Sequence, residues 1–376
     1  TLNVPPLRFP EFSGEWEEEQ LDSIATLSKG IGISKEQLSE DGEPCILYGE
    51  LYTKYKSEII KQVESKTDID CSKLKRSKAN DVIIPCSGET AVDIATARCV
   101  PFDNILLGGD LNIISLHKYD GAFMSYQLNG KRKYDIARVA QGVSVVHLYG
   151  EHLKAIKTYN PSLPEQQKIA KLLSLIDERI ATQNKIIEDL KKLKSAISER
   201  LFKSVKGSTV LLSDLCDIVK GKQINGENLS DSGNYYVMNG GTEPSGYYDN
   251  YNVEASTISI SEGGNSCGYV QFNTSPFWSG GHCYSIQNIA DKVDNMYLYH
   301  YLKSNEDAIM KLRIGSGLPN IQKKDLAMFK IIVPKIEWQI KISTFLSSLE
   351  RKAEIEERIQ NVMQKQKLYL LQQMFI

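Results

Sequence analysis

Apolar residues recur in steps of three and four along one stretch of the chain: Ile169, Leu172, Ile176, Ile180, Ile187, Leu190, Leu193, Ile197 and Leu201. This is the spacing of a single helix face. No Gly or Pro interrupts Glu165 to Lys206, and Gly207 supplies a C-terminal stop. The pattern predicts one helix over Pro161–Lys206, of which about forty residues alone span about 60 Å at 1.5 Å per residue. A helix of that length needs a partner along its course. Glu337 to Ile376 offers one, with Ile342, Phe345, Leu349, Ile355, Ile359, Val362, Tyr369, Leu370 and Met374. An intramolecular two-helix coiled coil satisfies both stripes.

The intervening sequence has a different period. Short alternating runs occur at Tyr235–Met238, Ser256–Ile260, Gly268–Phe272 and His282–Ile286, separated by Asn239-Gly240-Gly241, Gly263-Gly264-Asn265 and Gly280-Gly281. These read as short strands joined by tight loops, followed by a helix over Met296–Leu312. The earlier part reads likewise, with strands at Asp81–Ile84 and Leu111–Leu116 around the loop Cys86–Thr90. Each half is an α+β domain followed by a long helix.

The halves are copies. At an offset of 173, Gln166 falls on Gln339, Ile169 on Ile342, Leu173 on Leu346, Lys194 on Lys367 and Tyr126 on Tyr299. At the front of each half the offset is 191, which pairs Lys29-Gly30 with Lys220-Gly221. The first half therefore carries an insertion of about 18 residues, placed in the lysine-dense stretch Lys54–Lys78. The expected organisation is a first domain over 1–160, a helix over 161–206, a second domain over 207–333 and a helix over 334–376.

Composition narrows the class. The 376 residues are 41% hydrophobic and 24% charged, with a net charge of −2. That describes a globular chain of two or three domains and excludes a uniformly basic nucleic-acid coat, though not local basic patches. No apolar run reaches the ~18–20 residues of a membrane span, and Thr1–Gly14 has no signal-peptide core, so a cytoplasmic protein is expected. The seven cysteines lack C-x-x-C spacing and read as reduced, mostly buried thiols. The five histidines have no ligand spacing, and no metal site is expected.

Catalytic signatures are missing. Asn160-Pro161-Ser162-Leu163 lacks the second Pro and the aromatic of an amino-methyltransferase N-P-P-[FYW] motif. No phosphate loop, G-x-G-x-x-G or G-x-S-x-G is present. No catalytic residue is assigned, and a non-enzymatic role is expected. Loop residues able to read base edges or hold phosphates are the remaining candidates. In the first half these are Lys29, Tyr48, Lys54, Lys56, Ser87, Glu89, Lys131, Arg132 and Lys133. In the second they are Lys220, Lys222, Gln223, Asn239, Glu262, Asn265, Lys311, Arg313 and Ser316. A duplicated adaptor that binds protein partners through the same loops is the alternative class.

The chain resembles the specificity (S) subunits of type I restriction–modification systems over essentially its full length. The resemblance is carried by Leu7-Arg8-Phe9-Pro10-Glu11-Phe12 with Trp16, and by Pro161…Glu165-Gln166…Ile169…Leu173…Asp177…Ile180. It is carried also by the degenerate copy Pro334…Trp338-Gln339…Ile342…Leu346…Glu350, and by the Ile260–Cys283 region, which looks like a target-recognition domain. In the copy, Trp338 replaces Glu165 and Glu350 replaces Asp177.

The resemblance implies two target-recognition domains at opposite ends of an antiparallel helix pair, each reading half of a split, asymmetric site on double-stranded DNA. It implies that the helices set the spacer and dock two methyltransferase (M) subunits, with Gln166, Ile169, Leu173, Gln339, Ile342 and Leu346 as the partner-binding residues. It implies no cofactor in this chain. S-adenosylmethionine would belong to the M subunits, and ATP and Mg to restriction (R) subunits.

Overall fold

The structure, a computed structural model, describes residues 3–315 and 319–376. The chain forms two compact units, Thr1–Asn184 with Arg358–Ile376, and Lys185–Glu357. Both long helices continue from one unit into the other. The central helix spans Leu163–Ser204 and the C-terminal helix Ile336–Gln373, close to the bounds expected from periodicity.

Each unit is built on a four-stranded antiparallel sheet of the same order. In the first unit the order is Ala25–Lys29, Leu111–Leu116, Asp81–Pro85, Arg98–Val100. In the second it is Asp217–Lys220, Cys283–Gln287, Thr257–Ser261, Val270–Asn273. Beside each sheet lies a second one that contains a parallel pair: Glu43–Ile46 with Leu106–Leu107, and Tyr235–Met238 with Trp278–Ser279. The strand before each domain pairs with the strand entering its long helix: Glu17–Gln20 with Lys157–Asn160, and Ser208–Leu211 with Lys330–Val333. The duplication read from the sequence is thus present in the main sheet, in the parallel pair beside it and in the strand pair at each long helix.

The expected helix over Met296–Leu312 is divided into Asn295–Ser304 and Glu306–Met310. Asn305 divides it: its side-chain amide donates to the Tyr301 carbonyl at 2.8 Å, so it terminates the first helix rather than continuing it. The insertion leaves Leu47, forms the short helix Glu50–Thr53, runs as a strap through Tyr55–Val63 and returns as the strand Lys66–Thr67. In the second unit the shorter loop between Met238 and Tyr247 takes its place.

In the first unit the helices are antiparallel, with Asp177 bonded to Lys367 at 2.6 Å and Asn184 to Gln360. Their seam closes over Trp16, Phe123, Tyr126, Ile169, Leu173, Leu371, Met374 and Phe375. In the second unit they are antiparallel too, with Lys194 bonded to Glu350 at 2.6 Å and Lys191 to Glu357 at 2.5 Å. There Ile342 and Leu346 join the sheet core of Ile258, Ile260, Tyr284 and Ile286.

The six positions expected to bind partners are buried inside their own units. Gln166 accepts from the Asp120 amide at 2.9 Å and donates to the Pro161 carbonyl at 2.8 Å. Gln339 repeats this with Asp294 at 2.9 Å and Pro334 at 2.8 Å. Each glutamine ties its long helix to the N-cap of the neighbouring domain helix. Ile169, Leu173, Ile342 and Leu346 are core residues for the same reason. This corrects their assignment, because a side chain spent on internal packing offers no surface to another chain.

All seven cysteines are free and six are buried. Among the described residues, no His, Cys, Asp and Glu group has metal-binding geometry, and no helix is long and apolar enough to cross a membrane.

Candidate nucleic-acid interface

In both units the loops gather at one end of the main sheet, and backbone contact holds them there. A Cβ on Gly30 would lie 1.9 Å from the Gly108 carbonyl oxygen, and one on Gly221 would lie 2.2 Å from that of Gly280. Only glycine permits the loop after the first strand to lie against the Gly-Gly loop. This is why Lys29-Gly30 and Lys220-Gly221 recur in the sequence.

In the first unit the cluster contains Lys29, Tyr48, Ser87, Glu89 and the hairpin Gln141–His147. The Lys29 ammonium stands 5.8 Å from the centroid of the Tyr149 ring, which stacks with His147 at 6.2 Å. Ser87 is buried, and its hydroxyl donates to Asp110 at 3.3 Å. Tyr48 and Glu89 are exposed on either side of Tyr52, whose phenol is raised above its usual range by burial and by these neighbours. His147, Tyr149 and Tyr52 were not singled out from the sequence. Their signal was positional: His147 pairs with Ser87, and Tyr149 follows that pair.

The other first-half candidates lie elsewhere. Lys54 is held by Glu50 and Glu64, both at 3.4 Å, and by Ser65 at 3.0 Å. Lys56 lies on the strap, lining a cavity of about 270 Å³ against Asp177, Ile180 and Asn184 of the central helix. Arg132 lies over the Tyr159 ring at 5.3 Å, pairs with Asp135 and donates to the Ile376 carbonyl at 3.0 Å. Burial, with the nearby Arg98 charge, holds the Lys133 amine below its usual range. Only Lys131 of that basic run is exposed. A run of three charges on a short connection cannot keep all three in water once a helix end packs over it.

In the second unit the cluster brings together Lys220, Lys222, Gln223, Asn239, Glu262 and Asn265. Glu262 is buried, pairs with Lys220 at 2.6 Å and accepts from the Tyr284 hydroxyl at 3.0 Å. Asn239 accepts from the His282 amide at 3.1 Å. Glu262 and Asn239 therefore shape the loops internally rather than facing a ligand. Lys222, Gln223, Asn265 and Arg313 are exposed, as is His282, which follows Gly280-Gly281 where Asp110 follows Gly108-Gly109. Lys311 lies instead in a groove of about 810 Å³ along Lys191–Lys203 of the central helix. Ser316 lies outside the described residues.

Where each long helix meets its domain, a charged junction recurs. Tyr126 donates to Asp177 at 2.7 Å, and Lys367 bridges Asp177 and Glu58, each at 2.6 Å. Burial and the neighbouring Glu58 charge push the Asp177 carboxyl up to about 6. At the matching place Tyr299 donates to Glu350 at 3.1 Å and Lys194 pairs with it at 2.6 Å. Beside it His300 shares a 2.9 Å hydrogen bond with Ser347, and burial holds its imidazole down to about 4. The Glu165 and Trp338 difference is also explained. Glu165 is buried against Arg8 of the leader at 2.7 Å, whereas Trp338 is exposed beneath Lys341.

The family model described as "Type I restriction modification DNA specificity domain" matches residues 13–192 and again 206–365. A protein named as a type I specificity subunit of Mycoplasma genitalium is 34% identical over 122 residues, covering 32% of this chain and 31% of its own. One so named from Mycoplasma pneumoniae is 32% identical over 145 residues, covering 38% of each. The chain thus spans about a third of the length of these relatives. The crystal structure of a type I restriction–modification S subunit from M. genitalium matches the fold with a TM-score of 0.70 at 20% identity, covering 99% of both chains.

Proposed function

The chain belongs to the type I restriction modification DNA specificity family, and from that premise we propose that it recognises one bipartite sequence on double-stranded DNA for its complex. Each loop cluster enters the major groove of one half-site, where base pairs differ in donor and acceptor pattern. Lys29, Tyr48, Glu89, His147 and Tyr149 read one half. Lys222, Gln223, Asn265, His282 and Arg313 read the other. The observation that carries this reading is one glycine-locked scaffold presented twice with different exposed side chains. Shared scaffolding with divergent tips is what two unlike half-sites require.

The antiparallel helices fix the distance between half-sites, at about 3.4 Å per base pair. M subunits dock on the helices through exposed apolar positions, not the buried ones. Phe345, Ile355, Ile359, Val362 and Tyr369 of the C-terminal helix, expected from periodicity to face the central helix, are instead exposed at heptad-like spacing and suit a partner helix. The chain works in the cytoplasm and is itself non-catalytic. S-adenosylmethionine resides in the M subunits, and ATP and Mg in R subunits.

Single-molecule methylome sequencing of the host, with and without the gene, tests this. One split adenine motif loses methylation on deletion, and exchanging residues 207–333 for those of another family member changes one half of that motif only. Unchanged methylation in a strain that expresses the system would overturn the reading.

A further inference from the structure

The strap Tyr55–Val63 in the first unit makes four kinds of contact whose counterparts in the second unit have no occupant. The equivalent positions follow from register: Arg98 and Cys99 face Ile83 and Val82, as Gln271 and Phe272 face Ser259 and Ile258. Arg98 donates to the strap carbonyl of Tyr55 at 3.0 Å, whereas Gln271 has a buried Oε1 with no hydrogen-bond partner. The Cys99 amide donates to the Glu58 carbonyl at 2.8 Å and its carbonyl accepts from Ile60 at 3.0 Å, whereas Phe272 has no backbone partner on that outer edge among the described residues. Lys367 holds two carboxylates, Asp177 and the strap's Glu58, whereas among the described residues Lys194 holds Glu350 alone. Lys61 of the strap bonds Ser174 and Glu178, both at 2.9 Å. The equivalents of these two are Ser347 and Arg351, which line an open cavity of about 330 Å³.

We propose that this place in the second unit is a berth for an extended segment of a partner protein, lying where the chain's own strap lies in the first. The segment adds a short parallel bridge at Phe272, as Ile59 does at Cys99. Its chemistry is set by charge. It carries a carboxylate toward Lys194, as Glu58 does toward Lys367, and a second toward Arg351, because Arg351 stands where Glu178 receives Lys61. The occupant is thus acidic where the strap is mixed, with β-branched residues between its carboxylates. The proposal is independent of how the loops read DNA.

The test uses the full chain and a fluorescein-labelled peptide of residues 55–63 carrying Lys61→Glu. Saturable binding is expected, with amide-exchange protection gained at Phe272. Arg351→Glu in the protein weakens it at least tenfold, and the peptide with native Lys61 then becomes the better ligand. Absence of saturable binding, affinity indifferent to Arg351→Glu, or protection gained away from Phe272 would each overturn the proposal. Because the charge-swapped pair restores binding, a misfolded variant cannot be mistaken for a specific loss.

Discussion

The two polar junctions are the same device built under different constraints. In the first unit, Lys367 is 13% exposed between carboxylates that are 9% and 6% exposed, with Tyr126 donating to one of them. In the second, Lys194 and Glu350 are 21% and 29% exposed and form a simple pair beside a buried neutral histidine. The strap makes the difference by covering the first junction and contributing Glu58. A duplicated scaffold keeps its geometry while one insertion changes the dielectric and charge balance at an equivalent position. Burial raises the cost of breaking an ion pair more than it raises the worth of making one.

Several substitutions sharpen this contrast. Lys367→Ala leaves two buried carboxylates uncompensated and lowers stability by about 3–5 kcal/mol. Lys194→Ala leaves one half-exposed carboxylate and costs about 1–2 kcal/mol. Urea denaturation of both variants would break the comparison if the costs were equal.

The pH dependence of the two junctions has opposite sign. The His300 imidazole sits at about 4 when folded, below its ordinary 6.5. Its contribution is present above pH 6.5 and is lost as pH falls through 4, at most about 3 kcal/mol. Asp177 sits at about 6 when folded, above its ordinary 3.8. Its contribution is present below pH 3.8 and is lost as pH rises through 6. Amide exchange between pH 4 and 6.5 should show the second unit loosening on acidification, and His300→Gln should flatten that slope. A slope unchanged in the variant would remove His300 as its cause.

Gln166→Ala and Gln339→Ala should cost about 1–2 kcal/mol each, since each leaves the amide of Asp120 or Asp294 without its partner. Thermal melts that separate them widely would show that the two helix starts are not equivalent. The smallest effect is expected for Trp338→Glu, within about 0.5 kcal/mol, because Trp338 is exposed and among the described residues no ion pair like that of Arg8 with Glu165 forms there. By contrast Glu165→Ala removes the partner of a half-buried arginine and should be clearly measurable.

Periodicity placed both long helices within two or three residues, because a stripe sustained over ten turns leaves no alternative period. The duplication was legible for the same reason, and the offset change from 191 to 173 located the strap. Site residues were less legible. Lys29, Lys220 and Lys222 fell in the loop clusters because they adjoin the glycines that lock the loops. Lys54, Arg132 and Lys311 did not, because residue type alone cannot distinguish a cation turned to solvent from one turned to a neighbouring carboxylate or ring. His147, Tyr149 and His282 were not among the candidates because what makes them prominent is a strand register that only the folded sheet creates.

The sequence by itself determined the doubled architecture, the paired helices and the glycine-rich loops, all of which depend on local period and on the one residue without a side chain. The tertiary structure decided which charges are spent internally, why Gln166 and Gln339 recur, and which contacts of the strap lack a counterpart in the second unit. Those outcomes depend on the distance between residues far apart in the chain. Burial, ion pairing and hydrogen bonding follow that distance, and spacing along the sequence does not encode it.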